Sequence, residues 1–247
     1  QIQYCAAERA GADASRRHWR RMIMLAVFGV LHAVLVFSGD ILLLYSLVGS
    51  LIWHLRRASP KRLLGFALGM IALSLLCLFL ISLVIALSPT APADPTPGLS
   101  GGYLDTIRAR AAAWPETFVF LILFQGPLAA SAFLAGLAAA KLDMLDPQAT
   151  RWRRRCAIAL PALVLIGLPL NIAYALVASG PGLGWGQIAD LLGFLSIAVG
   201  GPVLTLAYIC AIRLLIDLFK LPSILVLAGR NSLSSYVLQG VLAGLVF

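Results

Sequence analysis

Apolar runs recur along the chain at lengths suited to a lipid bilayer, separated by short basic or Gly- and Pro-rich interruptions. They fall at about residues 22–37, 41–54, 63–87, 117–140, 156–178 and 187–212, with a last run that follows the polar stretch 228–239 and continues to Phe247. A helix rises about 1.5 Å per residue and the hydrocarbon core is about 30 Å thick, so such runs predict spanning helices. No stretch alternates with period two for long enough to build a barrel, and no repeat of fixed period is present. The pattern predicts an all-α, polytopic integral membrane helical bundle of about seven transmembrane helices, the last of them cut short by the chain end.

The interruptions order this topology. Residues 1–21 are polar and read as a cytoplasmic N-terminal segment, in which His18 is expected to be solvated, and residues 22–247 read as a single transmembrane domain. Arg20 and Arg21 precede the first run and Arg56 and Arg57 follow the second, with Ser38-Gly39-Asp40 between the two runs. That is a helical hairpin with both basic ends on one side. Residues 89–115 form an external loop rich in Pro and Gly, with a short surface helix expected over 103–113. Pro115 and Glu116 suit the opening of the fourth span, which Gln125-Gly126-Pro127 is expected to interrupt. Residues 141–155 form a cytoplasmic loop, and 187–212 read as one span. Trp19, Trp53 and Trp152 then fall at one interface and Trp114 and Trp185 at the other, as aromatic belts do.

Composition and charge fit the same picture. Charged residues make up 12% of the chain and mean hydropathy is +0.95, against about 25% charged in soluble domains. The net charge of +9 is a positive-inside signal, because all but Arg108 and Arg110 of the 19 Lys and Arg lie on the cytoplasmic side of this topology. No nucleic-acid partner is expected; the partners are membrane lipids. Cys5, Cys77, Cys156 and Cys210 show neither metal-ligand spacing nor a disulfide framework, and no metal is expected. No basic n-region leads a short apolar core, so no signal peptide is expected.

Polar residues inside the apolar runs are the candidates for chemistry. Counted from Arg21, His32 lies about 16 Å deep, where an ionisable side chain is expensive and points by default to function. It reads as a base or substrate contact, or as a side chain bonded to a neighbouring helix, with Gly29 and Ala33 beside it for close packing. Asp40, about 28 Å along the same ruler, reads as a catalytic partner or as the cap of the second helix. A spacing of eight covers about 12 Å on a straight helix, so a direct His32–Asp40 pair requires the chain to fold back. Asp190 sits about a turn in from the outer surface as a candidate acceptor-binding group.

Two motifs extend this reading. Gly29-x-x-His32 with Gly39-Asp40-Ile-Leu and Tyr45-x-x-x-Gly49, followed some 200 residues later by Gly229-Arg230-Asn231-Ser-Leu-Ser-Ser-Tyr236-x-x-Gln239, resembles the YeiB-like membrane proteins of the domain-of-unknown-function 418 family. The chain departs from that family's usual Gly-Arg-Met-Ala-Leu-Thr-Asn-Tyr at Asn231, Ser232 and Ser235. By the same comparison, N-terminal spans and a last C-terminal span are expected to be missing. The family is related to the transmembrane acyltransferases, which take an acyl group from a cytosolic thioester and place it on an acceptor across the membrane.

The resemblance implies a membrane acyltransferase with acyl-CoA as donor and a sugar, lipid or small molecule as acceptor, in a bacterial inner membrane. His32 and Asp40 would be catalytic. Arg230 with Asn231 would hold the donor phosphates, or Arg230 would only snorkel and cap; Tyr236, Gln239 and Asp190 would complete the substrate contacts. Two alternatives use the same residues. One is a transporter or lipid-handling protein without covalent chemistry, and the other is a structural subunit whose polar groups join helices.

Overall fold

The computed structural model describes residues 13–87, 102–144, 146, 148–180, 182–216, 227, 229 and 231–246. Among them are the helices α1 (Ala14–Leu35), α2 (Leu42–Trp53), α3 (Pro60–Leu87), α4 (Tyr103–Lys141), α5 (Thr150–Ala178), α6 (Gln187–Leu195), α7 (Ile197–Leu215) and α8 (Ser232–Val246). No strand occurs among the described residues. Five stretches, Ala14–Leu35, Pro60–Val84, Tyr103–Lys141, Thr150–Ala178 and Ile197–Leu215, are long and apolar enough to cross a bilayer, and α2 is a shorter apolar helix of 12 residues. The chain is an all-α integral membrane protein.

Local chemistry sets the element ends. Asp13 Oδ1 accepts the backbone N–H groups of Ser15 and Arg16 at 2.9 and 3.1 Å, so α1 starts inside the polar N-terminal segment. Pro60 opens α3, where a missing N–H costs nothing. Two boundaries and the setting of one side chain differ from the hydropathy reading. The expected surface helix over 103–113 and the fourth span are one helix of 39 residues, continuous through Pro115 and Pro127. The expected single span over 187–212 is two helices that break at Ser196, whose hydroxyl donates to the carbonyls of Leu170 and Gly193 at 2.6 Å each. A hydroxyl that bonds a neighbouring helix competes with its own helix ladder, which accounts for the break. His18 is half-buried rather than solvated, with its ring stacked on Trp53 at 4.3 Å.

Contacts divide the chain into two units. One contains α3, the part of α4 from Pro127 onward, α5, α6 and α7. Its core is the α5–α7 pair: a Cβ at Gly167 would meet the Leu204 backbone nitrogen at 2.9 Å, and one at Gly200 would meet Leu170 Cβ at 2.8 Å. Small residues here let the two backbones approach, the usual route to affinity between helices in lipid. Arg213 is buried in this unit and donates to the Asp146 carbonyl at 3.1 Å.

The other unit contains α1, α2, the part of α4 up to Gly126, and α8. Its hairpin is packed by the same device. A Cβ at Gly29 would lie 2.5 Å from the Leu43 nitrogen, and one at Gly49 would lie 2.7 Å from Met22 Sδ. Ser46 Oγ donates to the Met22 carbonyl at 2.8 Å, tying α2 to α1. Gly29→Ala should therefore lower stability by about 1–3 kcal/mol through overpacking. Gly65→Ala, where nothing lies within 4 Å, should change it little or raise it slightly. Thermal unfolding of both variants in detergent micelles checks the order; equal effects would remove close backbone packing as the basis of the hairpin.

Candidate functional site

The site begins where α1 ends. Val36 and Phe37 both donate their backbone N–H to the His32 carbonyl at 2.9 Å, closing the last turn, and residues 36–41 then reverse the chain. The 12 Å of a straight helix therefore never separates His32 from Asp40. Asp40 Oδ1 accepts the Leu42 N–H at 2.7 Å, which caps the head of α2. Its Oδ2 lies 2.7 Å from His32 Nδ1. The two readings of Asp40, cap and histidine partner, are both realised, one on each oxygen.

A third donor comes from far along the chain. Tyr236, on α8, donates its hydroxyl to the same Asp40 Oδ2 at 3.2 Å, and its ring lies 5.6 Å from the imidazole. His32 is 6% exposed and Asp40 1%. A buried carboxyl that receives a backbone N–H and a phenol O–H is acting as an acceptor, and it sits at the positive end of α2. As a carboxylate it has no proton to give, so the short contact to His32 makes Nδ1 the protonated nitrogen and leaves a lone pair on Nε2.

Nε2 is buried and has no hydrogen-bond partner among the described residues. It faces Gly240: a Cβ there would lie 2.5 Å from Nε2, 3.0 Å from Cε1 and 3.4 Å from Val36 Cγ1. Tyr236 and Gly240 are four apart and share one face of α8. That face covers the imidazole, with the tyrosine on the carboxylate and the glycine on the free nitrogen. One turn beyond His32, the Leu35 carbonyl accepts from Tyr103 O–H at 3.1 Å and from Arg110 at 3.0 Å.

The remaining sequence candidates are placed elsewhere. Asp190 belongs to the other unit, where its Oδ1 accepts the Leu183 N–H at 2.7 Å and its carboxylate packs against Gly182 at positive φ. It holds the 182–186 turn. Asn231 and Gln239 are exposed. Arg230 lies outside the described residues. Sequence reasoning missed Gly240, Tyr103 and Arg110. The four-residue step from Tyr236 was the available signal for Gly240; nothing along the chain linked Arg110 to Leu35.

The arrangement is an imidazole fixed in one tautomer by a buried carboxylate, with its second nitrogen able to take a proton. The carboxylate orients the ring and fixes which nitrogen carries the proton, which is what a positioned general base requires.

Residues 139–247 match a family described as "Protein of unknown function (DUF418)". Tyr236 and Gly240 fall inside that segment, and His32 and Asp40 fall outside it. The chain is also similar to "Uncharacterized protein YxaH" of Bacillus subtilis (strain 168), 39% identical over 64 residues. The aligned stretch covers 26% of this chain and 16% of that protein. No solved structure matches the chain.

The three acceptances by Asp40 rank two substitutions. Asp40→Ala leaves His32, Tyr236 and Leu42 without their acceptor and should cost about 3 kcal/mol or more, whereas Tyr236→Phe removes one long hydrogen bond and should cost about 1 kcal/mol or less. Thermal unfolding in micelles measures both, and comparable losses would mean that the carboxylate does not organise the site.

Proposed function

We propose that this chain carries the general base of a membrane acyltransferase. The observation that supports it is the division of labour on His32, with Nδ1 held by Asp40 and Nε2 without a partner. Nε2 takes the proton of an acceptor hydroxyl or amine as the acceptor atom attacks the carbonyl of a cytosolic acyl thioester, acyl-CoA. The C–S bond breaks, and the departing thiolate recovers the proton from the imidazolium. Asp40 acts through His32 as a positioning residue that stabilises the transient cation, and Tyr236 acts through Asp40. The acyl class is supported by the resemblance of the hairpin and α8 motifs to acyltransferase-related membrane proteins.

The acceptor in this reading is a sugar, lipid or small molecule. Arg230, Asn231 and Gln239 are proposed as donor and substrate contacts, in a bacterial inner membrane with the N-terminal segment cytoplasmic. Asp190 is proposed for acceptor binding only through the turn it holds.

Purified protein incubated with labelled acyl-CoA and a panel of acceptors should release free CoA and label an acceptor. His32→Ala should reduce the rate by about 100-fold or more, the usual contribution of a general base. Wild-type protein that transfers nothing across the panel but supports substrate-dependent flux into liposomes would replace this reading with the transport one.

A further inference from the structure

The end of α1 that carries His32 also carries a cation. Leu35, the last residue of α1, offers its carbonyl to Tyr103 O–H and to an Arg110 N–H at once. A simple helix cap accounts for part of this, since cations favour the negative end of a helix dipole and fill orphan carbonyls. Two observations go past it. Tyr103 already supplies that carbonyl with an uncharged donor. Arg108, its neighbour on α4, is paired with Asp105 at 3.5 Å, while no carboxylate forms an ion pair with Arg110 among the described residues. Arg108 and Arg110 are also the two basic residues that break the charge asymmetry of the sequence, and Arg110 is the half-buried one.

A guanidinium offers five N–H donors in a rigid planar fork, matched to the oxygens of a phosphate or carboxylate. Arg110 places one of them on Leu35. The contact fixes the side chain in advance, so an arriving anion need not order it, which removes part of the entropic cost of binding. Leu35 is three residues from His32, about 4.5 Å along the helix axis. A group held on Arg110 is therefore held at the end of α1, about one helical turn along the axis from the His32 backbone.

We infer that Arg110, anchored on the Leu35 carbonyl one turn beyond His32, is an anion-binding residue, and that it takes the phosphate group of a phosphate-bearing acceptor. Its meaning as an acceptor site rests on His32 being the base; the binding itself does not. The charge recognises the phosphate, and the acceptor's hydroxyl end is directed toward the imidazole.

The test is binding to the full chain in detergent. Native mass spectrometry follows retention of phosphatidylglycerol, and thermal unfolding under titration with inorganic phosphate or glycerol phosphate follows soluble anions. Arg110→Gln should weaken the tightest-held anion by about tenfold, Arg110→Lys should weaken it by less because an ammonium lacks the fork, and Arg108→Gln should leave it unchanged. Loss in the lipid arm alone assigns a headgroup; loss in the soluble arm assigns a free phosphate compound. Wild-type binding by Arg110→Gln in both arms overturns the inference, as does an equal loss in Arg108→Gln, which is the mark of diffuse surface charge. If Arg110→Gln does not fold, Arg110→Lys decides: a several-fold loss at an unchanged melting temperature supports the site, and unchanged binding overturns it. Turnover is not measured, so this outcome and that of the acyl-transfer assay stand apart.

Discussion

A carboxylate out of reach of water is the constraint to which the hairpin unit is built. An isolated buried carboxylate is strongly disfavoured and persists only with charge partners or several hydrogen bonds. Asp40 has a backbone N–H on one oxygen and an imidazole and a phenol on the other. Each donor belongs to a different element: α2, α1 and α8. The same three contacts that make the carboxylate tolerable therefore fix the position of three helices relative to it, and select the tautomer of His32.

Glycine makes this geometry reachable. The His32–Asp40 contact requires α1 and the head of α2 to lie almost backbone to backbone, and Gly29 faces the Leu43 nitrogen where a methyl group would collide. Gly240 does the same for α8, whose backbone closes over the imidazole. In lipid there is no hydrophobic gain from pressing two apolar helices together, so packing and polar contacts must supply it. Close approach through glycine and a shared buried carboxylate both act on the same helices, one through packing and the other through polar contacts.

Much of this was legible in the sequence, in proportion to how local the cause is. Hydropathy located the apolar helices because span length is set by bilayer thickness. It merged α6 with α7 and separated 103–113 from the rest of α4, because a Ser bonded to a neighbouring helix and a Pro tolerated inside a span are tertiary outcomes. His32 and Asp40 stood out as ionisable groups in apolar surroundings, and the need for the chain to fold back was readable from their spacing. That the fold-back occurs at once, through residues 36–41, was not. Tyr236 entered from a motif, but its partner lies 196 positions away, and no periodicity reports a contact of that separation. Arg110 was visible only as a violation of the charge rule.

The three holds on Asp40 are not equal. The contact to His32 and the cap on Leu42 are both 2.7 Å, within the range of strong charge-assisted bonds. The bond from Tyr236 is 3.2 Å, long for a hydroxyl donor, whose usual distance is about 2.7–2.8 Å. Two short bonds arise within one hairpin, across eight residues, where the turn holds the ends together and little chain entropy is lost. The long one spans most of the sequence. The dyad is consequently contained within the hairpin, and α8 contributes only the longest of the three bonds. What α8 adds is a cover: Gly240 over the nitrogen that would act, and a weak tyrosine bond to hold it there. A base that must exchange a proton with something other than its own chain needs that nitrogen uncovered, and the geometry puts the weakest of the three bonds on the helix that stands in the way.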